Sequence, residues 1–390
     1  MLNVAIRADG GPLVGMGHIM RCLSVADELR ERGCRVYFIS KYLQGIEKVR
    51  ATSFEAFDIR LGAKLMDNIS IKCSVKNYVA PDDTGFNNGT IGDLDEDISI
   101  TKSITAQQGC DLLLVDKYNL TEEYFIEIKK FINKVAYFDD LNTIKTVADI
   151  IINGNINAGF LEYTKEFPNQ EFLLGTKYTP LRKEFRNRTK KEIRTFSKST
   201  RHNDDIIKRH IKKDSVIPEV MITTGGSDPF NCTGNILDLL FQNHKIAKYT
   251  YNIVATSGFK YIDQLKDVAG KNANIKLFID YSEISEIMSR SDIAISSGGS
   301  TLYELCCCGT PTVAFILADN QKEIVKTLSD KQYIQSIGWY KEIDKDVLAS
   351  CILKLINDYS LRKKISLKMQ DIVDGKGAAR IAEKIINMLK

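Results

Sequence analysis

Four histidines occur in the 390 residues, and one of them, His18, stands directly behind a run of glycines. Gly10, Gly11, Gly15 and Gly17 lie between a short apolar strand, Val4 to Arg7, and the start of a helix near His18. Glycines let backbone approach a ligand closely, and a helix N-terminus offers unpaired N–H groups and the positive end of a dipole. Such a turn suits a diphosphate. A neutral imidazole beside it accepts a proton from water or a hydroxyl. The plainer use of His18 is as a polar helix-start residue packed on its loop. His202 and His210 fall in a basic stretch and His244 in a polar, surface-like one, so His18 is the candidate base.

Two further turns have the same character, TTGGSDP at 223–229 and SSGGST at 296–301. None of the three fits G-x-G-x-x-G or G-x-x-x-x-G-K-[ST], so neither a dinucleotide fingerprint nor an ATPase loop is supported. Backbone N–H groups near Gly226–Ser227 and Ser300–Thr301 suit a diphosphate leaving group. Glu304, in the first turns of the helix behind Ser300, suits ribose hydroxyls, and the amides of Asn320 and Gln321 suit sugar hydroxyls. Asp116 and Tyr118 follow the apolar run Leu112–Val115, where a side chain past the carboxyl end of a parallel strand points toward a ligand crevice. Asp116 there can orient His18 or cap a turn, and Tyr118 can hydrogen-bond a sugar. Asp139–Asp140 ends another strand. Adjacent carboxylates at a strand end point to opposite sides, and no His, Cys or carboxylate set has metal-ligand spacing, so no metal is expected.

These residues need α/β elements to hold them. Ile19, Leu23, Ala26 and Leu29 recur at helical spacing, Gly33 stops that helix, and Arg35 to Ile39 reads as the next strand, a βαβ unit with a parallel sheet. The rhythm returns after residue 215, with strands at 220–222, 251–254, 275–278, 293–295 and 313–316. The chain length favours two domains. We expect a first Rossmann-like domain over 1–190, a basic linker over 190–214 and a second over 215–390, facing a cleft. Residues 66–108, with seven acidic and three basic side chains, read mostly as loop. Residues 182–213 hold thirteen basic and four acidic side chains, a solvated linker or a patch making weak contact with an anionic membrane surface. The net charge of +4 is too small to imply nucleic acid. Nine cysteines without a CxxC pair read as buried thiols in a reducing cytoplasm. The N-terminus reads as a strand, not a signal peptide, and no stretch reaches the length of a membrane span.

Taken in order, IRADGGPLVGMGHIMRC, LLLVDKYNL, YFDDL, LGTKYTPLRKEF, ITTGGSDPFN, LFIDYSEISEIM and SSGGSTLYE…ADNQ resemble the UDP-2,4-diacetamido-2,4,6-trideoxy-β-L-altropyranose hydrolases of pseudaminic acid biosynthesis. The likeness covers roughly residues 1–60 and 110–340, and GMGH and GGSTLYE are its most specific words. Similar sequences are also labelled spore-coat polysaccharide proteins. The second half alone is similar to the peptidoglycan N-acetylglucosaminyltransferases of the GT-B fold. The resemblance implies a GT-B architecture with UDP mainly on the C-terminal domain, and hydrolysis of the sugar C1–O bond with release of UDP. It implies no metal and no cofactor, and it makes His18 the general base on water. Tyr118, Asn320 and Gln321 match the family's tyrosine and Asn-Gln pair. Asp9, Gly15, Gly17, Arg21 and Arg182, inside the matching words, complete the expected substrate-binding set. The 66–108 and 190–213 segments depart from the compact family core and leave the exact sugar open.

The sequence is therefore read as a metal-independent, inverting UDP-sugar hydrolase. A glycosyltransferase of the same fold, favoured by the basic segment, and a non-catalytic nucleotide-sugar binding protein are the alternatives. Exhaustive EDTA treatment is expected to leave UDP release from the UDP-sugar unchanged. Loss of activity restored by Mg²⁺ or Mn²⁺ would instead point to Asp139 and Asp140.

Overall fold

A computed structural model describes residues 1–11, 14–60, 94–196 and 217–390. They divide into two compact units, residues 1–186 with 375–390 and residues 187–374.

The first unit is built on a seven-stranded sheet of β1 (Asn3–Ala8), β2 (Arg35–Ser40), β3 (Glu55–Asp58), β4 (Leu112–Asp116), β5 (Lys134–Phe138), β6 (Ile150–Asn153) and β7 (Glu171–Leu174). The strands run in the order β3-β2-β1-β4-β5-β6-β7, and every pair is parallel. Both faces are covered, so the strands are nearly continuous apolar runs. Alternate residues serve alternate faces. Ile6, Phe38, Leu114 and Ile152 pack against the first helix, Gly17–Glu31, and the C-terminal helix, Gly377–Leu389. Tyr37, Leu113, Val115 and Val135 pack on the other side against helices Leu94–Gln108 and Glu122–Lys129.

The second unit carries β8 (Glu219–Thr223), β9 (Thr250–Ala255), β10 (Ile275–Ile279), β11 (Ile293–Ser297), β12 (Thr312–Ile316) and β13 (Gln335–Trp339). Their order is β10-β9-β8-β11-β12-β13, again all parallel. In each unit the first strand lies beside the fourth, and the winding reverses between them. Each unit is thus Rossmann-like, with one topological switch point.

Three expectations change. Residues 94–108 form a helix, with Asp95, Glu96 and Asp97 in its first turn where a helix favours negative charge; residues 61–93 lie outside the described residues. The second unit ends at Asp374, not at the C-terminus. The C-terminal helix buries Ala378, Ile381, Ala382, Ile385 and Ile386 in the first unit's core, and each fully buried isoleucine there contributes about 1.5–3 kcal/mol. Its entry needs glycine: a Cβ at Gly375 (φ +75°) would stand 2.3 Å from the Phe185 carbonyl oxygen, and one at Gly377 2.1 Å from that of Thr179.

The start of the basic segment is solvated only in part: residues 187–190 are exposed, but several of its cations are engaged by the protein. Lys191 is half-buried and donates to the carbonyls of Ser289 and, at 2.7 Å, Ser291, and desolvation pushes its ammonium down to about 8. Arg194 binds Asp292 through Nε at 2.8 Å and through Nη2. Arg186 and Lys183 pair with Glu28 and Glu31. These cations are committed to the protein rather than presented as a patch; residues 197–216, with His202 and His210, lie outside the described residues. His244 is exposed, and of the nine cysteines eight are described, six of them buried, Cys306, Cys307 and Cys308 included. No described helix is long and apolar enough to cross a membrane.

Candidate functional site

The first unit's switch point is between β1 and β4, where Ala8 pairs with Asp116. The chain leaving β1 turns through Gly15, at φ +70°, and closes the loop with the Gly11 N–H donating to the Gly15 carbonyl. The helix then starts at Gly17, which places His18 in its first turn beside the end of β4. His18 Nδ1 lies 2.5 Å from Asp116 Oδ1. Arg21, one turn on, donates from Nε and Nη2 to the same carboxylate at 2.6 and 2.5 Å, and Cys22 Sγ approaches it at 3.3 Å. Burial alone would raise the Asp116 carboxyl, but Arg21 and then His18 hold it far below the usual carboxylate range.

A second carboxylate joins this group. Asp140, just past β5, accepts from Arg21 Nη1 at 2.8 and 3.0 Å, from the Tyr118 hydroxyl at 2.8 Å and from Asn155 Nδ2 at 2.8 Å. The Arg21 guanidinium lies over the Phe138 ring, 4.8 Å from its centroid. Tyr118 meets His18 edge to face, with centroids 4.6 Å apart. Asp139 turns the other way and accepts the N–H groups of Leu141 and Asn142. The ends of β1, β4, β5 and β6 therefore contribute one connected set: His18, Arg21, Asp116, Tyr118, Asp140 and Asn155.

Asp116, His18 and Tyr118 were legible as strand-end and loop residues; Asp140 and Asn155 were not assigned. A carboxylate pair at a strand end was visible, but not which member would turn toward Arg21. Arg21, expected at the substrate, has its guanidinium engaged by two carboxylates. Asp9 is buried and engaged as well: both oxygens face Arg7, at 2.6 and 3.0 Å, and one accepts the Lys41 N–H. Arg7 is fully buried and also binds Asp97, which Lys117 and Tyr124 share. This ionic cluster occupies the opposite face of the sheet from Asp116. Gly17 is exposed with open space at its Cα, while Arg182 pairs locally with Glu184 at 2.9 Å.

In the second unit the glycine turns meet at the switch point between β8 and β11. Ser297 Oγ donates to the Thr224 carbonyl at 2.9 Å, and a Cβ on Gly225 would stand 3.5 Å from Thr301 Oγ1. The two turns are not equivalent. Behind Gly226 and Ser227, Asp228 caps the helix Cys232–Phe241 by accepting the N–H groups of Cys232 and Thr233, both at 2.8 Å. That N-terminus already holds a carboxylate. The helix Thr301–Cys308 has no side-chain cap at Ser300 and carries Glu304 in its first turn. Gln321 is a strut for the 298–301 turn: Oε1 accepts the N–H groups of Gly298 and Leu317, both at 3.0 Å. Gly298 is packed so closely that a Cβ would reach Val325 Cγ2 at 2.4 Å. Asn320 is exposed on the neighbouring turn. Among the described residues no three His, Cys, Asp or Glu side chains are grouped to hold a metal ion.

Comparison with known proteins agrees with this architecture. Residues 220–384 match the glycosyltransferase family 28 C-terminal domain. A protein of Methanocaldococcus jannaschii named as uncharacterized is 26% identical over 331 residues, 83% of this chain but 57% of its own length. The spore coat polysaccharide biosynthesis protein SpsG of Bacillus subtilis is 23% identical over 97% of this chain and 96% of its own. The UDP-2,4-diacetamido-2,4,6-trideoxy-β-L-altropyranose hydrolase of Campylobacter jejuni is 24% identical over 59% of this chain and 75% of its own. Among solved structures, Acinetobacter baumannii MurG aligns over 99% of this chain and 100% of its own, with a TM-score of 0.59 at 13% identity. The protein has the GT-B fold.

Gln321→Leu removes the acceptor of two backbone N–H groups. Leaving a buried donor unpaired costs about 1–3 kcal/mol, so the urea midpoint of the second unit's unfolding is expected to fall, whereas Asn320→Ala leaves it unchanged.

Proposed function

We propose that this protein is a cytoplasmic enzyme of surface-polysaccharide or nonulosonic acid biosynthesis that acts on a UDP-linked sugar. Specifically, it hydrolyses the anomeric C–O bond of a UDP-linked 2,4-diacetamido-2,4,6-trideoxy sugar. The observation that carries this reading is the His18–Asp116 pair at the first unit's switch point. A base held by a buried carboxylate and lying behind a glycine loop is the arrangement that activates water. The likeness to the Campylobacter jejuni hydrolase and to SpsG supports the substrate class.

In this mechanism a water oxygen attacks C1 while His18 Nε2 takes its proton. The C1–O bond breaks and its electron pair leaves with UDP, so C1 is inverted. Asp116 keeps Nδ1–H donated inward and stabilises the imidazolium as it forms. Negative charge grows on the departing diphosphate, and the 298–301 turn with its helix N-terminus stabilises it. In the second unit Gly226 and Ser227 serve the diphosphate, Glu304 the ribose and Asn320 a sugar hydroxyl; in the first unit Tyr118 takes a polar group of the sugar. Gln321 acts chiefly by holding the turn.

A second reading, a glycosyltransferase, is favoured by the match to the glycosyltransferase family 28 C-terminal domain. His18 would then deprotonate an acceptor hydroxyl. Incubation of the UDP-sugar in ¹⁸O-water without acceptor separates the two. Label on the sugar C1 and none in UDP is expected. Label in the phosphate, or UMP as first product, refutes attack at carbon, and UDP appearing only after an acceptor is added establishes the transferase. His18→Asn is expected to lower turnover about 10²–10⁴-fold with UDP affinity nearly intact, and near-normal turnover removes His18 from the mechanism.

A further inference from the structure

Arg21 and Asp140 are at the centre of the first unit's site, and nothing in the proposed mechanism uses them directly. We propose that together they fix its hydrogen-bond polarity, so that His18 and Tyr118 present acceptors and the site takes ligand groups that carry a proton: a water or hydroxyl at His18 and an amide N–H or hydroxyl at Tyr118.

An arginine side chain offers five donors and no acceptor, and it does not deprotonate. Its partners must therefore be acceptors. Arg21 binds Asp116 through Nε and Nη2 and both oxygens of Asp140 through Nη1, which holds the two groups as carboxylates. A carboxylate has no proton to give. The contact of 2.5 Å between His18 and Asp116 then requires the hydrogen to be on Nδ1, and a neutral imidazole has only one. Nε2 is left as a lone pair. The same reasoning applies across the site. Tyr118 has one phenolic proton, and at 2.8 Å from Asp140 Oδ2 that proton points inward. Burial first, and then Asp140, push the phenol well above its ordinary range, so it keeps this proton. Its oxygen offers only lone pairs to a ligand. Asn155 completes the arrangement by donating to Asp140 Oδ1. The two rings meet edge to face with centroids 4.6 Å apart, so a ligand group at one lies near the other.

Arg21 and Asp140 are thus positioning residues. For a neutral His18 the polarity follows from the contacts; its meaning as sugar selectivity rests on the function proposed above. A sugar with an acetamido N–H at this site is accepted, and one with an ether or ester oxygen there meets lone pair against lone pair.

The test uses the full chain labelled with ¹⁵N-histidine, whose four rings allow His18 to be assigned by the signal lost in His18→Asn. In the wild type His18 is expected to be protonated at Nδ1 and unprotonated at Nε2 near neutral pH. In Arg21→Lys, which cannot bind both carboxylates in this geometry, a mixture of tautomers is expected. A wild-type ring with its proton on Nε2, or an unchanged tautomer in Arg21→Lys, overturns the proposal. Asp140→Asn supplies an amide that can donate to the phenol and turn its proton outward. Its kcat/KM for the UDP-linked diacetamido sugar is expected to fall roughly 10–100-fold, mostly through KM, with UDP affinity unchanged. Tyr118→Phe should lose as much, and the double variant no more than the worse single. Additive losses, or a fully active Asp140→Asn, overturn it. If the wild type does not turn over the sugar, the hydrolase reading fails while the tautomer measurement still decides the polarity.

Discussion

A parallel sheet wound outward in both directions from a central pair of strands has one place where neighbouring connections leave toward opposite faces. In such sheets the crevice at the strand ends is where ligands bind, and the candidate residues of both units gather at it. Right-handed crossovers enforce it: β1 to β2 and β4 to β5 pass on opposite sides, as do β8 to β9 and β11 to β12. The glycine loop before His18 and the end of β4 occupy the switch point in the first unit. In the second, Gly225, Ser297 and Thr301 do. The same topology used twice brings ionisable side chains together in one unit and glycines with small hydroxyl residues in the other. The difference lies in whether the strand end carries Asp116 or the small residues Ser296 and Ser297.

Placing a carboxylate at the end of a buried strand is costly. A fully buried charge is tolerated only when paired and hydrogen-bonded. Asp116 is 1% exposed, and four donors surround it. The adjacent residue, Lys117, emerges on the other face of the sheet and joins Arg7, Asp9 and Asp97. Two consecutive residues thus belong to two separate ionic networks, a direct result of the period-two alternation of a strand. The second network ties the ends of β1 and β2 together through Asp9 and the Lys41 N–H, and so anchors the start of the glycine loop from below.

Much of this was legible in the residue pattern. Strand–glycine–helix units identify themselves by composition, because a tight turn needs glycine and a strand covered on both faces needs continuous apolar residues. His18 and Asp116 could be singled out because position alone, at a loop and a strand end, restricts what they face. Side-chain destinations were less legible. Asp9, Arg21 and Gln321 are polar residues in the right loops, yet their hydrogen bonds go to Arg7, to two carboxylates and to backbone N–H groups. Arg21 finds its carboxylates 95 and 119 residues away, and even Arg7, two residues from Asp9, is a partner that spacing alone does not single out. Asp140 shows the limit well: Asp139–Asp140 is a visible pair, but only the tertiary placement of Arg21, 119 residues away, decides which member joins the site. The domain division failed at the C-terminus for a similar reason. The amphipathic pattern of residues 377–389 says that a face is buried, not in which unit.

That last helix has a consequence for how the chain is made. The ribosome delivers the first sheet early, but the strip that Ile381, Ile385 and Ile386 cover stays bare until residues 377–389 have been made. The whole second unit must be synthesised in between, residues 187–374. At roughly 5–20 residues per second, the nascent first unit carries an uncovered apolar stripe for about ten seconds or longer. Nascent-chain chaperones would find a binding surface in that interval, and a chain cut short before residue 375 would contain a complete second unit and an incomplete first one.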